Sequence, residues 1–421
     1  MLRTPEKPMD SFQFGHRVSY WRTRRRMSRQ EFAYLMGKSL RWVEELEGGR
    51  RQADPQLSVM RLAALRLGIT LERLIADVLD AECVEESEVD AVRRALHRHD
   101  VITGTTDDSS EEPLPVEQLR RALTHARTGF QAGRFAQLGS AIPSLLVDAT
   151  RAAQHHRGDD RLAAYELLSL TLELTEAAAI KWGDTELALI AGHRAVAAAE
   201  RSENPVIMAS AARHLGDAMT NHGQADAAAQ FVLASAHRLQ GDLLRTGPEG
   251  FSVLGMLYLK AAMASAAAAE ADDLNPGAHA SRVPEHLDQA DEHADRLGRD
   301  DNLLWTSFGP TNCQLYRVAA HVQLSEGADA IAAAADIPAP AFASLPRERR
   351  AHLLADRALG ELQAGQRETA VDTLLAAEKL APEEVQCRPR TKTTVESLRL
   401  LGVGSAEGRL RLLADRCGLP R

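Results

Sequence analysis

Aromatic residues make up only 4% of the 421-residue chain, and Lys supplies just six of its 50 basic residues. Few aromatic and β-branched side chains leave little to build a sandwich, a barrel or a large parallel sheet, because those folds fill their cores with such residues. Cysteine is rare, with four copies at 83, 313, 387 and 417 and no CxxC spacing. That excludes a disulfide scaffold and a zinc ribbon, and predicts packed free thiols in a reducing cytoplasm. No run of 18 apolar residues occurs, and the most apolar stretch, 261–271, carries Glu270. A buried helix rather than a membrane span is expected there. The opening MLRTPEKPMD lacks an apolar core, so no signal peptide is expected. The chain also lacks GxGxxG before a helix, a Walker loop, HExxH and a nucleophile elbow. His97 and His99 are two apart and cannot share a helix face. No catalytic residue, metal or cofactor is expected.

What replaces the missing residues is alanine, with 70 copies. Alanine is the best helix former, and the prediction is an all-α chain. The net charge of −9 is an average over unlike parts. Residues 1–80 carry +5, residues 81–115 carry −7 and the remainder −7, and the stretch 17–66 alone reaches +7. A small basic head, an acidic connector and an acidic body are the distribution of a nucleic-acid-binding module on a regulatory trunk.

Punctuation divides the head into five short helices. Ser11–Arg26 places Phe14, Val18 and Trp21 on one stripe. Ser28 with Glu31 reads as a capping box that opens a helix carrying Phe32, Leu35 and Met36 and ending at Gly37. Ser39 caps the next helix, with Val43 and Leu46 inward, before Gly48-Gly49. Asp54-Pro55 opens a fourth helix, carrying Met60, Leu62, Ala63 and Leu65 and closing at Gly68, and Leu71–Leu79 forms a fifth. The small Ala33, the turn at Gly37 and the inward Val43 and Leu46 fall in helix-turn-helix register.

Over about residues 15–80 this pattern resembles the Xre-type, lambda-repressor-like helix-turn-helix family. The resemblance implies a five-helix DNA-binding head whose second motif helix enters the major groove with its N-terminal half against base edges. Ser39, Leu40, Arg41, Trp42, Glu44 and Glu45 occupy that half. Arg41 suits bidentate contact to guanine, Glu44 or Glu45 suits cytosine N4, and Trp42 suits a thymine methyl or the domain edge. Gln30, Arg24, Arg25, Arg50 and Arg51 stand where phosphate contacts are expected. Against this, two adjacent glutamates repel phosphate, and Glu45 can instead pair with Arg41 at i,i+4.

Residues 81–115 are expected to be an acidic helix, 82–100, with Val89, Val92 and Leu96 on one face, followed by a polar linker. From 116 to 421, Ala/Leu-rich helices alternate with glycine breaks. Residues 351–384 resemble a tetratricopeptide unit, with Ala358, Gly365, Ala370, Leu374, Ala377 and Pro382 at its small, turn and closing positions. Weaker units are centred on Gly223 (209–242) and Gly183, with further turns at Gly133 and Gly327, and loops are expected at 241–250 and 272–283. The whole resembles a tetratricopeptide-like α-solenoid. The combined layout resembles Xre-type regulators of actinomycetes with a C-terminal tetratricopeptide-repeat domain.

Such arrays expose a concave face lined by first helices. Relatives of this layout hold peptide backbone there with Asn side chains. Asn312 is the candidate effector contact, with Tyr316 and Trp305 as pocket aromatics. Asn312 could equally serve as a cap behind Gly309-Pro310. The expected function is a cytoplasmic, sequence-specific regulator that binds double-stranded DNA as a homodimer. Its helical repeats would sense a peptide, small molecule or protein, without a membrane. The alternative is a non-catalytic interaction scaffold with a degenerate helix-turn-helix.

Overall fold

A computed structural model describes residues 11–24, 27–48, 56–67, 71, 74, 83–99, 112–272 and 274–419, and it is all-α among them. The chain divides into two compact units, residues 1–80 and 81–421.

In the first unit, α1 (Ser11–Arg24), α2 (Arg29–Met36), α3 (Leu40–Glu47) and α4 (Leu57–Leu67) surround one core. Phe14, Val18, Phe32, Val43, Leu46 and Ala63 are fully buried there. Local chemistry sets the helix ends. Ser28 Oγ accepts from Glu31 N–H at 3.1 Å, and the Glu31 carboxylate accepts from Ser28 N–H at 2.6 Å. Gly37 ends α2 at φ +63°, a left-handed cap that favours a residue without Cβ. Ser39 Oγ accepts from Trp42 N–H to start α3. Gly15 lets α1 lie against the end of α3: a Cβ at this position would stand 1.9 Å from the Leu46 carbonyl oxygen. Leu65, expected inward, is 69% exposed, and Ala64 and Leu67 face the core in its place. Of the expected fifth helix, Leu71 and Leu74 are described and both are helical. Gly49, Asp54, Pro55 and Gly68 lie outside the described residues.

The second unit begins with α5 (Glu86–Leu96). This helix is no free connector: Val92 and Leu96 are buried in the core of the following helices, chiefly against α7. Residues 101–111 of the expected linker lie outside the described residues. Antiparallel hairpins then follow: α6 (Val116–Gln131) with α7 (Ala136–His155), α8 (Gly158–Trp182) with α9 (Thr185–Ser202), and α10 (Pro205–Asn221) with α11 (Ala225–Thr246). Next come α12 (Pro248–Ala271), the short α13 (Pro276–Ala280) and α14 (Val283–Leu297). The array continues with α15 (Pro310–Gln323), α16 (Gly327–Ala335), α17 (Ala339–Ser344), α18 (Arg347–Gln363) and α19 (Arg367–Leu380). It ends with α20 (Pro382–Gln386), α21 (Pro389–Leu401) and α22 (Glu407–Arg416).

The expected turns at Gly133, Gly183, Gly223 and Gly365 all carry positive φ between hairpin helices. Small residues make the crossings close: a Cβ on Gly216 would meet Val232 at 2.2 Å, and Ala188, Ala195, Ala228, Ala358, Ala370 and Ala377 are fully buried. Three expectations need correction. Gly327 makes no turn; Ser325 does, at φ +62°, while Gly327 opens α16 against the Gly360 carbonyl. The stretch 241–250 is not a loop, because α11 runs through Gly241 to Thr246 and only Gly247 interrupts the chain before α12. An isolated glycine costs a helix only about 1 kcal/mol, which packing outweighs. The stretch 272–283 holds α13 within it. Helix α12 is long and apolar enough to cross a membrane, yet 78% of its most apolar window is buried inside this unit.

The hairpin array returns on itself. Helix α18 packs against α6, and Ala136 N–H donates to Glu383 at 2.7 Å. Lys181 on α8 lies 2.7 Å from both Glu348 on α18 and Glu384 on α20. A disulfide joins Cys83 to Cys387 across the same seam, with Cα atoms 5.2 Å apart. Four free thiols are therefore not found; Cys313 and Cys417 are free and buried. The return of the array brings together two cysteines that are 304 residues apart in sequence.

Candidate functional site

In the head, the exposed start of α3 is the candidate nucleic-acid interface. Leu40 is 43% exposed, Arg41 and Glu44 are exposed, and Val43 and Leu46 are buried. Gln30 is exposed at the start of α2, and Ser39 is exposed as the α3 cap. Arg41 Nε holds the Glu45 carboxylate at 2.9 Å. Exposed i,i+4 pairs of this kind are worth about 0.3–0.5 kcal/mol, so the guanidinium is cheaply released to another acceptor. Trp42 is the correction here. It is only 7% exposed, because it lies one turn before Leu46 and shares its inward stripe, with Lys38 Nζ 5.9 Å over its ring. It serves the core, not a base edge. Arg24 closes α1, but its side chain lies outside the described residues, as do Arg25, Arg50 and Arg51.

The sequence reading missed the knot behind this surface. Glu47, at the end of α3, is buried and accepts from Arg22 at 2.5 Å, Arg29 at 2.7 Å and Ser19 at 3.1 Å. Burial opposes its charge, but these donors, led by Arg22, hold its pKa below the usual carboxylate range. Two of the head's arginines are thus committed to structure.

In the second unit a cavity of about 680 Å³ is walled by α6, α8, α10, α12, α15 and α18, the first helices of successive hairpins. Tyr316 and Trp305 are on its wall, the first under Lys260 Nζ at 5.5 Å and the second under the Arg127 guanidinium at 5.2 Å. Asn312 is not on the wall. It is fully buried one turn before Tyr316, with Nδ2 3.5 Å from Met256 Sδ and no partner for Oδ1. Nor does it cap α15, whose cap position is Gly309.

The wall carries seven Lys and Arg side chains against four carboxylates. Several are paired. Lys260 Nζ lies 2.7 Å from Asp217, which that cation keeps ionised against the cost of burial. Lys181 and Arg388 share Glu348 and Glu384. Behind the wall, Glu173 lies 3.5 Å from Arg127 and accepts from Ser210 at 2.8 Å. Burial pushes Glu176 well above and His214 well below its ordinary pKa, and the two side chains hydrogen-bond each other. Arg127 and Arg213 are each 4% exposed on the wall with an unpartnered Nε, but Arg127 also donates to the Leu170 carbonyl and lies 3.5 Å from Glu173, contacts that Arg213 lacks among the described residues. These charges are scattered over five hairpins and the segment 384–388. Their trace in the sequence is a charge within an apolar helix, such as Glu173 and Glu176 in α8 or Lys260 in α12.

Among the described residues, two groups of three side chains have metal-ligand spacing. Glu348, His352 and Glu384 cluster at the seam, but Lys181 and Arg388 already neutralise the two carboxylates, which leaves no charge deficit for a cation to fill. His321, Glu326 and Asp329 form an open surface group.

Three solved structures of the competence regulator ComR align with the chain. The apo form from Streptococcus vestibularis is 11% identical over 97% of this chain and 99% of that one, with a TM-score of 0.26. The apo form from S. thermophilus is 12% identical, covering 79% and 97%, at 0.23. ComR from Streptococcus suis is 15% identical, covering 86% and 96%, at 0.21. At these scores the likeness carries no argument about function. No protein-family model and no curated protein matches the chain.

Proposed function

We propose that the chain is a sequence-specific DNA-binding transcriptional regulator of the Xre-type helix-turn-helix kind, with a ligand-sensing helical-repeat unit. The observation that carries this reading is the geometry of α2 and α3. Two capped eight-residue helices are joined at a left-handed Gly37, Val43 and Leu46 lock the second onto the core, and Leu40, Arg41 and Glu44 are presented outward. In such a motif that face meets the major groove, and Arg41 is the side chain suited to guanine O6 and N7. The protein acts in the cytoplasm as a homodimer on a two-fold site, as in the actinomycete layout that the sequence resembles. The cavity of the second unit receives the effector, a peptide, small molecule or protein element, and catalysis has no part.

The test is a band-shift series with the full chain and genomic fragments at several salt concentrations. A retarded fragment whose affinity falls steeply with salt, and falls further with Arg41→Ala, supports the proposal. No retardation at low salt refutes it. The Arg41–Glu45 pair and the exposed Glu44 favour one other reading, a non-catalytic scaffold with a degenerate motif. In that case DNA-independent capture of a protein partner accompanies the absence of retardation.

A further inference from the structure

The second unit buries a guanidinium on the cavity wall whose Nε has no hydrogen-bond partner. Arg213 is 4% exposed on α10, forms no ion pair or hydrogen bond with any described residue, and its Nε is fully enclosed without a partner. A buried charge left unpaired is costly, and folds do not retain one without a counterpart. The groups nearest to it in electrostatic effect are Glu173, Tyr316 and Arg349. Glu173 already faces Arg127 and Ser210. Arg349 has its own carboxylate, Glu348, 3.6 Å away, which Lys181 holds more closely at 2.7 Å. Both guanidiniums line the cavity, whose wall carries seven Lys and Arg side chains against four carboxylates. The rest of the wall is mixed, with Ile180, Met263, Leu315 and Leu353 beside Thr220, Asn221 and Gln363. Its volume of about 680 Å³ is within the range of small-ligand sites.

We infer that Arg213, with Arg349 on the same wall, receives one terminal oxyanion, a carboxylate or phosphate, of a ligand bound in the cavity. The inference rests on the reading of this cavity as the effector site. It names the chemistry that the site selects: an oxyanion supplies the acceptor oxygens that Arg213 Nε lacks, and Met263, Leu315 and Leu353 on α12, α15 and α18 cover apolar parts of the ligand.

The experiment measures binding by calorimetry to the full chain without DNA, so its outcome is independent of the band-shift series. The probes are two matched pairs: dodecanoate with dodecan-1-ol, and an N-acetylated pentapeptide of Leu and Ala as free acid and as amide. In at least one pair the acid is expected to bind about tenfold tighter than its neutral partner. The pair that shows this preference tells whether the body is an acyl chain or a peptide. Arg213→Met is expected to keep the helical content and bring the acid to within about twofold of the neutral probe, and Arg213→Lys to keep part of the preference. The inference is overturned if neutral probes bind as tightly as acids, if the preference survives in Arg213→Met, or if no probe binds. An Arg213→Met chain that fails to fold also overturns it, since a guanidinium without partners has no structural duty.

Discussion

Replacing Arg213 by Met should make the ligand-free protein more stable, which is the opposite of the usual effect of a core substitution. Arg213 has neither an ion pair nor a partner for Nε, and burial pushes its pKa down, opposed chiefly by Glu173. Replacing buried charges with apolar side chains of similar volume is often stabilising by about 1–4 kcal/mol, whereas removing one member of a buried pair costs about 3–5 kcal/mol. Because the guanidinium still favours the ionised Glu173, the gain should lie near the low end, ~1 kcal/mol. An unfolding entropy of roughly 2.1 cal/mol/K per residue over a unit of about 340 residues converts this to ~1–2 °C in Tm. The control is Arg388→Met. Arg388 is buried beside Glu384 at 2.7 Å, and the loss of roughly 3 kcal/mol should lower Tm by ~4 °C. Differential scanning calorimetry of the full chain reads both. A fall of more than ~2 °C for Arg213→Met would refute the claim that its charge is structurally unused.

Three further outcomes follow from the geometry. Glu47→Ala strands Arg22 inside the head and should cost about 3–5 kcal/mol, read as faster hydrogen exchange in peptides from 11–48 of the full chain; unchanged exchange rejects the knot. The pKa of Glu47 is depressed by folding, so its contribution is complete above about pH 4.3 and is lost as pH falls through the folded value. His293 behaves in the opposite chemical sense. Burial lowers its pKa from 6.5 to about 4 where it stacks on Tyr258, so the unfolded chain binds more protons between those values and stability rises with pH across that window. His293→Phe should flatten that part of the pH–stability curve, and an unchanged slope there counts against the assignment. Finally, Cys83→Ser should cost about 2–4 kcal/mol and match the effect of reductant on the wild type, while thiol titration of the denatured oxidised protein finds two free cysteines; four would contradict the bond.

Elements held by short-range chemistry were legible from the residues. The Ser28–Glu31 box, the Gly37 cap and the Ser39 cap each depend on groups within three or four positions. The hairpin turns at Gly183, Gly223 and Gly365 depend on one backbone angle each. Readings that required a neighbour distant in sequence failed in a consistent way. Trp42 looked available to DNA because its burial against the core of the head is a property of assembly. Gly327 looked like a turn because its reason for being glycine is the Gly360 carbonyl, 33 residues on. Asn312 looked like a ligand contact because periodicity cannot tell the wall of a cavity from the packed side of the same helix.

An all-helical chain, a basic head in helix-turn-helix register and an alanine-lined hairpin array follow from the residues alone, since composition, capping and period act locally along the backbone. Where that array ends up is a matter of packing between distant helices. Its return on itself makes the Lys181–Glu348–Glu384 seam, pairs Cys83 with Cys387, absorbs α5 into the second unit and encloses Arg213 beside a cavity. The physical reason is range. A cap or turn is an interaction between near neighbours in the chain. The field around a buried charge sums over helices hundreds of residues apart, and no local pattern records which of those charges will be left without a partner.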